Sequence, residues 1–440
     1  MRQNTVFGLV LAGLLVAAPN VRATDPDADV TFPAHQAAIP AGTIINQTNW
    51  QQFKDYMPVG MQALWSGKYF WKIPEEGEIV VGQTVSIPTP KKYAQDTERY
   101  AAQVSLVHTA WGGTIPTNYV AGLPFPHPSG PDAGDEILYN YYYRYTPQFQ
   151  NDRYRVVFED RFNNLTWAGG WQSEIQLTHL SDPGAPITSP LAASYFRSNY
   201  VEVMEPEQSK YTVQLITFAD DPSKIGEVYA FVPSLRRSLR LSSAARCAPE
   251  LGSDYVVDDG NANFGGIPTD FHSRLLGEKK MLLLVHADLS PADLSPAGFD
   301  KYLRPSWWPK PIVGKWELRD VAVLYMTRLA DRGAAGYCYG ARIAYVDKET
   351  WQIMWVDLYD SSLKLWKVMF TGRRPYPIPN SGGDVALASY GGGVFNCWDL
   401  QNEHLSFTIQ PVMKYNSDVP VQFQNIPLYA YPSGLAQVMQ

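Results

Sequence analysis

The chain has 440 residues, of which 45% are apolar and 18% are charged, a composition typical of globular proteins with ample material for a core. The 36 basic and 43 acidic side chains give a net charge of −7, and loss of Arg2 and Arg22 with an N-terminal leader makes it −9. This acidity argues against nucleic acid or anionic membrane surfaces as partners, because long-range electrostatics oppose both.

The N-terminus has the pattern of a cleavable secretory signal. Arg2 precedes an apolar run over residues 6–18, and Val21-Arg22-Ala23 supplies the small residues of a cleavage site. We predict a signal peptide over residues 1–23, cleaved after Ala23. The run is shorter than the ~20 residues of a spanning helix, and no cysteine lies nearby to carry a lipid. The sequence therefore predicts a soluble periplasmic protein that is not a lipoprotein.

Three cysteines, Cys247, Cys338 and Cys397, are an odd number for an oxidising compartment. At most one disulfide can form within the chain, and the sequence does not identify the pair. The spacings exclude CxxC motifs, and the histidines form no HExxH motif or close pair. We therefore expect no metal site and no cofactor.

The first part of the mature chain predicts helices. Residues 24–45 lack periodicity and indicate an extended arm, and the remaining residues, 46–440, are predicted to form a single domain. Thr48 and Gln51 have the spacing of a capping box, which predicts a helix that Pro58 ends. A second short helix is expected around Met61–Trp65, and a third over residues 91–108.

Beyond a proline-rich stretch at residues 122–128, the pattern changes to strands separated by turn residues, which predicts a meandering antiparallel sheet. The predicted strands are Leu138–Tyr145, Tyr154–Asp160, Glu174–His179, Tyr195–Met204, Tyr211–Phe218, Glu227–Val232, Lys280–Ala287, Trp316–Arg328, Tyr339–Asp347, Gln352–Tyr359, Leu363–Phe370 and Leu405–Pro411. In the hairpin over residues 351–370, Trp351, Ile353 and Trp355 alternate with other apolar residues. Both faces of this hairpin must therefore be covered, by core, by helices or in part by a ligand.

Several short motifs occur in the order typical of one bacterial family. They are Tyr119–Pro128, Pro131–Gly134, Tyr139–Tyr145, Tyr229–Arg240, Gly252–Asp254, Gly266–Pro268, Leu276–Met281, Lys315–Arg319, Ala341–Tyr345 with Asp347, and Trp351–Lys367. Together they resemble the domain-of-unknown-function family thirteen twenty-nine over nearly all of the mature chain.

The resemblance implies a fold similar to the outer-membrane lipoprotein-sorting carriers LolA and LolB. Those proteins wrap a strongly curved antiparallel sheet, an incomplete barrel, around an apolar cavity closed by helices. The expected fold is thus α+β and β-dominated, with N-terminal and inserted helices covering the sheet. Family members often accompany genes for exporters of the resistance-nodulation-division type and outer-membrane proteins, which suggests such partners. The family has no agreed catalytic residues to carry over.

The residues and the resemblance together predict a non-enzymatic periplasmic carrier of a lipid or another hydrophobic molecule. Candidate wall residues are Trp316, Trp351, Trp355, Trp366 and Phe370, although ordinary core positions would look the same. Candidate contacts to a headgroup or an acidic partner are Arg236, Arg237 and Arg240, since arginine binds carboxylate and phosphate well. The alternative for this cluster is a solvated strand that pairs with Asp254, Asp258 and Asp259.

Two other functions fit the sequence. One is an adaptor that docks on an envelope exporter and holds no cargo, which a filled interior with an exposed apolar patch would favour. The other is a glycan hydrolase that uses Glu159 and Asp160 or Asp357 and Asp360 as its carboxylate pair. Adjacent residues on a strand point to opposite faces, which argues against the first pair.

Overall fold

The computed structural model describes residues 25–224, 226–241, 246–290, 294–333, 336–387, 392–411 and 413–439. The predicted signal peptide lies outside the described residues. Among the described residues, no helix combines the length and the apolar character needed to cross a membrane.

Strands dominate the described part of the chain, as predicted. They are β1 (Ile44–Ile45), β2 (Ile79–Val80), β3 (Ser105–His108), β4 (Thr114–Thr117), β5 (Phe149–Asp160), β6 (Leu165–Gln176), β7 (Tyr195–Glu205), β8 (Val213–Ala219), β9 (Glu227–Val232), β10 (Arg237–Leu241), β11 (Phe271–Leu283), β12 (Glu317–Arg328), β13 (Ala341–Asp347), β14 (Ile353–Tyr359), β15 (Leu365–Arg373), β16 (Pro375–Pro377), β17 (Val385–Leu387), β18 (Gly393–Asp399), β19 (His404–Gln410) and β20 (Met413–Tyr415).

The helices are short and lie between or beside the strands. The α-helices are α1 (Val59–Ser66), α2 (Ile73–Glu76), α3 (Lys91–Tyr100), α4 (Ala133–Tyr142), α5 (Gly260–Asn263), α6 (Pro296–Tyr302) and α7 (Ile426–Tyr429). The longer 3-10 helices are Trp50–Tyr56 and Pro432–Gln437.

One large antiparallel sheet contains most of the strands. Its order is β10-β9-β8-β7-β6-β5-β19-β18-β15-β14-β13-β12-β11, and β20 also pairs with β5. It is made of two meanders that meet where β5 pairs with β19. In the described part of the chain, β10 and β11 each pair on one side only, so the sheet is not closed into a barrel. The predicted β-dominated fold with a large, open antiparallel sheet is confirmed.

The sheet wraps around α4, which is buried at nine of its ten residues. Ile137, Leu138 and Tyr141 pack in one cluster with β11 to β15, whereas Tyr139 and Tyr142 pack with β7 to β9. Strands of a flat sheet are about 4.8 Å apart, so β8 and β12 would be separated by roughly 40 Å. A helix about 10 Å wide can contact both only if the sheet curves strongly around it. We call the face toward α4 the inner face and the opposite one the outer face.

The outer face is covered by segments from both ends of the chain. The N-terminal 3-10 helix, α1, α2 and residues 294–313 pack on the outer face of β11 to β19. The C-terminal residues Ile426, Ala430 and Leu435 cover the outer face of β6 to β9. The predicted arm also lies along β11, since Gln36 exchanges hydrogen bonds of 2.7 and 3.0 Å with the backbone of Lys280.

The strand predicted over Leu138–Tyr145 is wrong, because residues 133–142 form α4. A run of tyrosines without alternation predicts a fully buried strand, but a helix buried on all sides has the same pattern. The third predicted helix also extends too far: α3 ends at Tyr100 and is followed by β3, which pairs with β4.

Two local predictions differ from the structure in detail. No capping box forms at Thr48, whose backbone N–H and hydroxyl both donate to Asn46 Oδ1, and a 3-10 helix follows instead. Where β14 pairs with β13, a bulge opposite Tyr345 and Val346 shifts the alternation of the β14 side chains between the two faces of the sheet. Ile353 therefore packs on the inner face and Trp355 on the outer face.

The close approach of α4 to β11 depends on Gly134. A Cβ atom there would lie 2.1 Å from the Ser273 carbonyl oxygen. We expect Gly134→Ala to lower the free energy of unfolding by about 2–3 kcal/mol, because the helix must move away from the strand. Urea unfolding followed by tryptophan fluorescence measures the change. Gly184→Ala is the control: its positive φ costs about 1 kcal/mol, but no atom lies within 4 Å. Equal costs for both variants would contradict the packing argument.

Candidate ligand groove on the inner face

Residues 246–270, here called the strap, connect the edge strands β10 and β11 and cross the inner face. The strap is bound to the middle of the sheet: the Tyr255 hydroxyl lies 2.9 Å from the Ser406 carbonyl oxygen, and the Asp254 N–H donates to Ser406 Oγ at 2.8 Å. Farther along, Asn263 Nδ2 donates to the Ile353 carbonyl oxygen at 2.9 Å. Because these bonds reach both β14 and β19, the strap spans a large part of the curved face.

A buried ion network fixes the strap to β12 and β13. Asp258 and Asp259 are both fully buried. Asp258 accepts hydrogen bonds from Arg246 Nε at 2.7 Å and from Arg328 Nη1 at 3.1 Å. Asp259 forms an ion pair of 2.8 Å with Arg342. Burial favours the neutral form of Asp258, but the charge of Arg246 and its neighbours outweighs burial and holds the pKa of this carboxyl below its usual range.

Tyrosine hydroxyls complete the network. Tyr337 donates to Asp258 at 2.8 Å and Tyr339 donates to Asp259 at 2.6 Å. Both tyrosines lie in the connection between β12 and β13, so the carboxylates are surrounded by donors from this loop and from the strands beside it. Loss of Arg342 would leave the Asp259 carboxylate in the interior without its ion-pair partner, which is strongly destabilising.

A disulfide ties the same two segments together. Cys247 at the start of the strap pairs with Cys338, with their Cα atoms 5.5 Å apart, and Cys397 is a buried free thiol. The structure thus resolves the pairing that the sequence left open. Burial raises the pKa of the Cys397 thiol well above its usual value, which keeps this thiol protonated.

Between the strap and the strands lies a partly open groove with a cavity volume of about 70 Å³. Its apolar lining residues are Tyr154, Val156, Phe158, Val201, Tyr255 and Phe395, and its polar lining residues are Gln172, Gln214, Glu250, Ser253, Thr408 and Gln410. The Tyr255 ring stacks on Phe395, with centroids 4.6 Å apart and planes at 14°. The strap therefore supplies one wall and the inner face of β5, β7, β18 and their neighbours supplies the floor.

Among the described residues that line the groove, Glu250 is the one with an acidic side chain. It lies in a tight turn that two hydrogen bonds of 2.8 Å close. The Glu250 N–H donates to the Tyr255 carbonyl oxygen, and the Ser253 N–H donates to the Glu250 carbonyl oxygen. Its Oε1 atom is buried and accepts no hydrogen bond from the described residues. Burial raises the pKa of Glu250 to about 8.

Of the predicted wall residues, the structure brings Trp316, Trp355 and Phe370 together on the outer face. The ring centroids of Trp355 and Phe370 are 4.6 Å apart, those of Trp316 and Phe370 are 5.2 Å apart, and Trp308 stacks on Trp316 at 5.2 Å. All three predicted residues are at most 1% exposed. None of them lines the inner groove, and their role in ligand binding stays a prediction.

The other two predicted wall residues lie apart from that group. Trp366 donates from Nε1 to Asp399 at 2.9 Å and packs against the inner-face cluster around Tyr339. Trp351 lies in the turn before β14 and lines a smaller cavity, of about 40 Å³, together with Tyr93 and Arg144.

The arginine cluster lies at the edge of the sheet. Arg237 and Arg240 belong to β10, Arg236 precedes them in the left-handed conformation, and all three are exposed. Arg240 forms an ion pair with Glu227 on β9. The acids that the sequence suggested as partners of the cluster have other partners. Asp258 pairs with Arg246 and Asp259 pairs with Arg342, whereas Asp254 pairs with His404. Charges on an edge strand oppose pairing with other chains.

The carboxylates considered for hydrolysis have separate surroundings. Asp357 is fully buried on the outer face and accepts from the Tyr345 hydroxyl at 2.9 Å, whereas Asp360 accepts from the Ser362 and Lys364 N–H groups of the hairpin turn. Glu159 is 3% exposed, and Asp160 binds its own turn through Asn164. The two members of each pair thus lie in separate surroundings.

Sequence analysis missed the groove residues on β5, β7 and the strap. Tyr154, Val156 and Phe158 alternate along β5 with Arg153 and Arg155, which is a period-2 signal for one apolar face. That signal identifies the face, but the strap that turns it into a groove has no regular pattern. Glu250 sits in an irregular segment and was not distinguishable from a surface acid.

The comparison with known families agrees with the motif order. Residues 44–425 match the model of the family described as "Protein of unknown function (DUF1329)". The chain belongs to this family. The prediction made from the motifs is therefore confirmed.

Members and structures similar to this DUF1329 protein come from several bacteria. An uncharacterized protein of Pseudomonas aeruginosa is 23% identical over 341 residues, which cover 74% of this chain and 67% of the relative. A domain named for outer-membrane lipoprotein sorting, from Vibrio parahaemolyticus, is 12% identical with a TM-score of 0.46 and covers 67% of this chain and 97% of that one. A DUF1329 protein from Desulfovibrio piger is 12% identical with a TM-score of 0.45, covering 66% and 96%.

Loss of the disulfide should loosen the strap. We expect the double variant Cys247→Ser and Cys338→Ser to lose about 2–4 kcal/mol of unfolding free energy, because the unfolded chain gains the freedom of a long loop. Urea unfolding with and without reductant measures this. Reductant should lower the midpoint of the wild type to that of the variant and leave the variant unchanged; a midpoint of the wild type that reductant does not move would contradict the prediction.

Asp357 should make stability depend on pH. Burial raises the pKa of Asp357 to about 7, so the folded state holds this proton more tightly than the unfolded state, and stability falls as pH rises from about 4 to 7. We expect Asp357→Asn to be more stable than the wild type at pH 8, by on the order of 2 kcal/mol, with the difference vanishing near pH 4. Thermal melts across this range test it. Asp360→Asn, whose carboxyl has a lowered pKa, should give no gain at pH 8.

Proposed function

We propose that this DUF1329 protein binds a hydrophobic molecule in the inner-face groove and carries it through the periplasm. The observation that supports the proposal is the groove itself: six apolar or aromatic side chains line a partly open cavity of about 70 Å³, bounded by the strap and the sheet. Sites for small ligands in proteins combine an apolar lining with a few polar groups. They usually have volumes of roughly 300–1,000 Å³, so this groove would hold one part of a ligand while the rest stays outside.

The energetics fit reversible binding. Each CH₂ group that leaves water contributes about 0.8 kcal/mol, so three buried groups give roughly 2 kcal/mol before ordering costs. The partly open shape leaves a route for the ligand to enter and leave without unfolding of the strap. A carrier requires this combination, since its cargo must be held and then transferred.

The compartment and partners belong to the same proposal. The N-terminal pattern supports export with cleavage after Ala23, and we propose that residues 46–440 act as one unit, because β5 and β19 join the two meanders. An envelope exporter of the resistance-nodulation-division type and outer-membrane proteins are the proposed partners. We propose no catalytic activity, since the two members of each candidate carboxylate pair lie in separate surroundings.

An adaptor function is the second candidate, and one exposed feature favours it. At the tip of the hairpin between β5 and β6, Phe162 is 71% exposed and Leu165 is 39% exposed. Two apolar side chains at an exposed tip can dock on another protein. This function requires no cargo, so ligand binding distinguishes it from the carrier.

A variant that fills the groove tests the carrier function. Val201→Trp should weaken binding of the neutral dye Nile red at least about tenfold, because the indole occupies the space of the ligand. Nile red fluorescence titration of the mature protein gives the dissociation constants. The control is Val421→Trp, the same change at a side chain that is 82% exposed, which should bind as the wild type does.

Native mass spectrometry of protein isolated from the periplasm complements the titration. A stoichiometric hydrophobic molecule in the wild type that is absent from Val201→Trp would support the carrier. If the wild type carries no such molecule and binds no Nile red, the carrier function is wrong and the adaptor takes its place. Thermal melts of both variants distinguish loss of binding from loss of fold.

A further inference from the structure

The charge of the groove limits which hydrophobic molecule it can hold. Among the described residues that line it, Glu250 alone is acidic, and none is basic. An anionic ligand such as a fatty acid would place its carboxylate in this groove without a cation to neutralise it. We infer that the groove binds hydrophobic cations, with Glu250 giving up its proton to become their counter-ion. This inference rests on the proposed function and specifies its ligand class.

The geometry of Glu250 fits this role. Its Oε1 atom is buried and has no hydrogen-bond partner among the described residues, so it has an unused capacity to accept a hydrogen bond or to pair with a cation. The turn closed by the bond from the Glu250 N–H to the Tyr255 carbonyl oxygen fixes its backbone. Gly252 makes the turn possible with a φ of +82°. The carboxyl is therefore positioned before the ligand arrives, which lowers the entropy cost of binding.

Aromatic rings supply the second attraction. Tyr154, Phe158, Tyr255 and Phe395 line the same groove. The faces of such rings carry partial negative charge and attract cations within about 6 Å, most strongly where water is excluded. The same rings accept the apolar part of the ligand. A cation with apolar substituents thus uses both properties of the lining, whereas a neutral hydrocarbon uses one.

The charged groups around Glu250 do not serve as its counter-ion. Arg246 is the cation near it, but this guanidinium is committed to Asp258. Asp258 and Asp259 face Glu250 from the strap, and both are paired with arginines. Gln214 from β8 and the hydroxyls of Tyr154 and Tyr255 are neutral. Glu250 therefore lacks a protein cation of its own, and a bound cation would supply one.

Two probes of nearly equal size and opposite charge test the inference. Tetraphenylphosphonium and tetraphenylborate are titrated calorimetrically into the mature protein at pH 8. We expect the wild type to bind the phosphonium at least about tenfold more tightly, and Glu250→Gln to lose this preference. Lowering the pH to 6 should weaken phosphonium binding to the wild type by about tenfold or more, since protons compete for the carboxylate, and should not affect Glu250→Gln.

Controls separate this inference from the proposed function. Glu207→Gln, at an exposed site in the connection after β7, should keep the wild-type preference. Glu250→Gln should still bind Nile red within about twofold, which also shows that its groove is folded. The inference would be overturned if the wild type binds Nile red but shows no preference for the phosphonium, or prefers the borate. It would also be overturned if Glu250→Gln keeps the preference for the phosphonium. Absence of Nile red binding would instead contradict the carrier function.

Discussion

The pairing of Asp258 and Asp259 with arginines is the interaction on which the inner face depends. An isolated carboxylate at 0% exposure would be neutralised or would unfold its surroundings, so these two residues require Arg246, Arg328 and Arg342 in place. Such networks contribute little net stability compared with an apolar core, but their charges are all paired in one arrangement of the chain only. Here that arrangement sets the path of the strap, and the strap in turn makes a groove out of an open sheet.

The two faces of the sheet have different chemistry. The outer face is a dry cluster of indole and phenyl rings that includes Trp308, Trp316 and Trp355, typical of a core closed by helices. The inner face combines apolar side chains with buried glutamines, arginines and carboxylates. A surface that is partly polar leaves room for a ligand with both an apolar body and a polar group, which a dry aromatic core does not.

Sequence patterns predicted the strands well because period-2 alternation and turn residues are local signals. The hairpin of residues 351–370 and the strands β7 to β9 were located on that basis. The helix α4 was missed because a segment buried on every side, such as Tyr139 to Tyr142, carries no periodicity that separates helix from strand. The groove could not be predicted at all. Tyr255, Phe395 and Val201 are far apart in the chain, and only the curvature of the sheet and the path of an irregular strap bring them together.

The junction between the two meanders has a consequence for how the protein is made. Asp160 on β5 pairs with His404 on β19, so the central seam of the sheet joins residues separated by more than half of the chain. During synthesis, β5 emerges long before its partner and presents an unpaired edge of twelve residues. Contacts of such sequence separation form late and slowly. The nascent chain is therefore most prone to aggregation before β19 has been synthesised, so the yield of folded protein depends on chaperones that bind the unfinished chain.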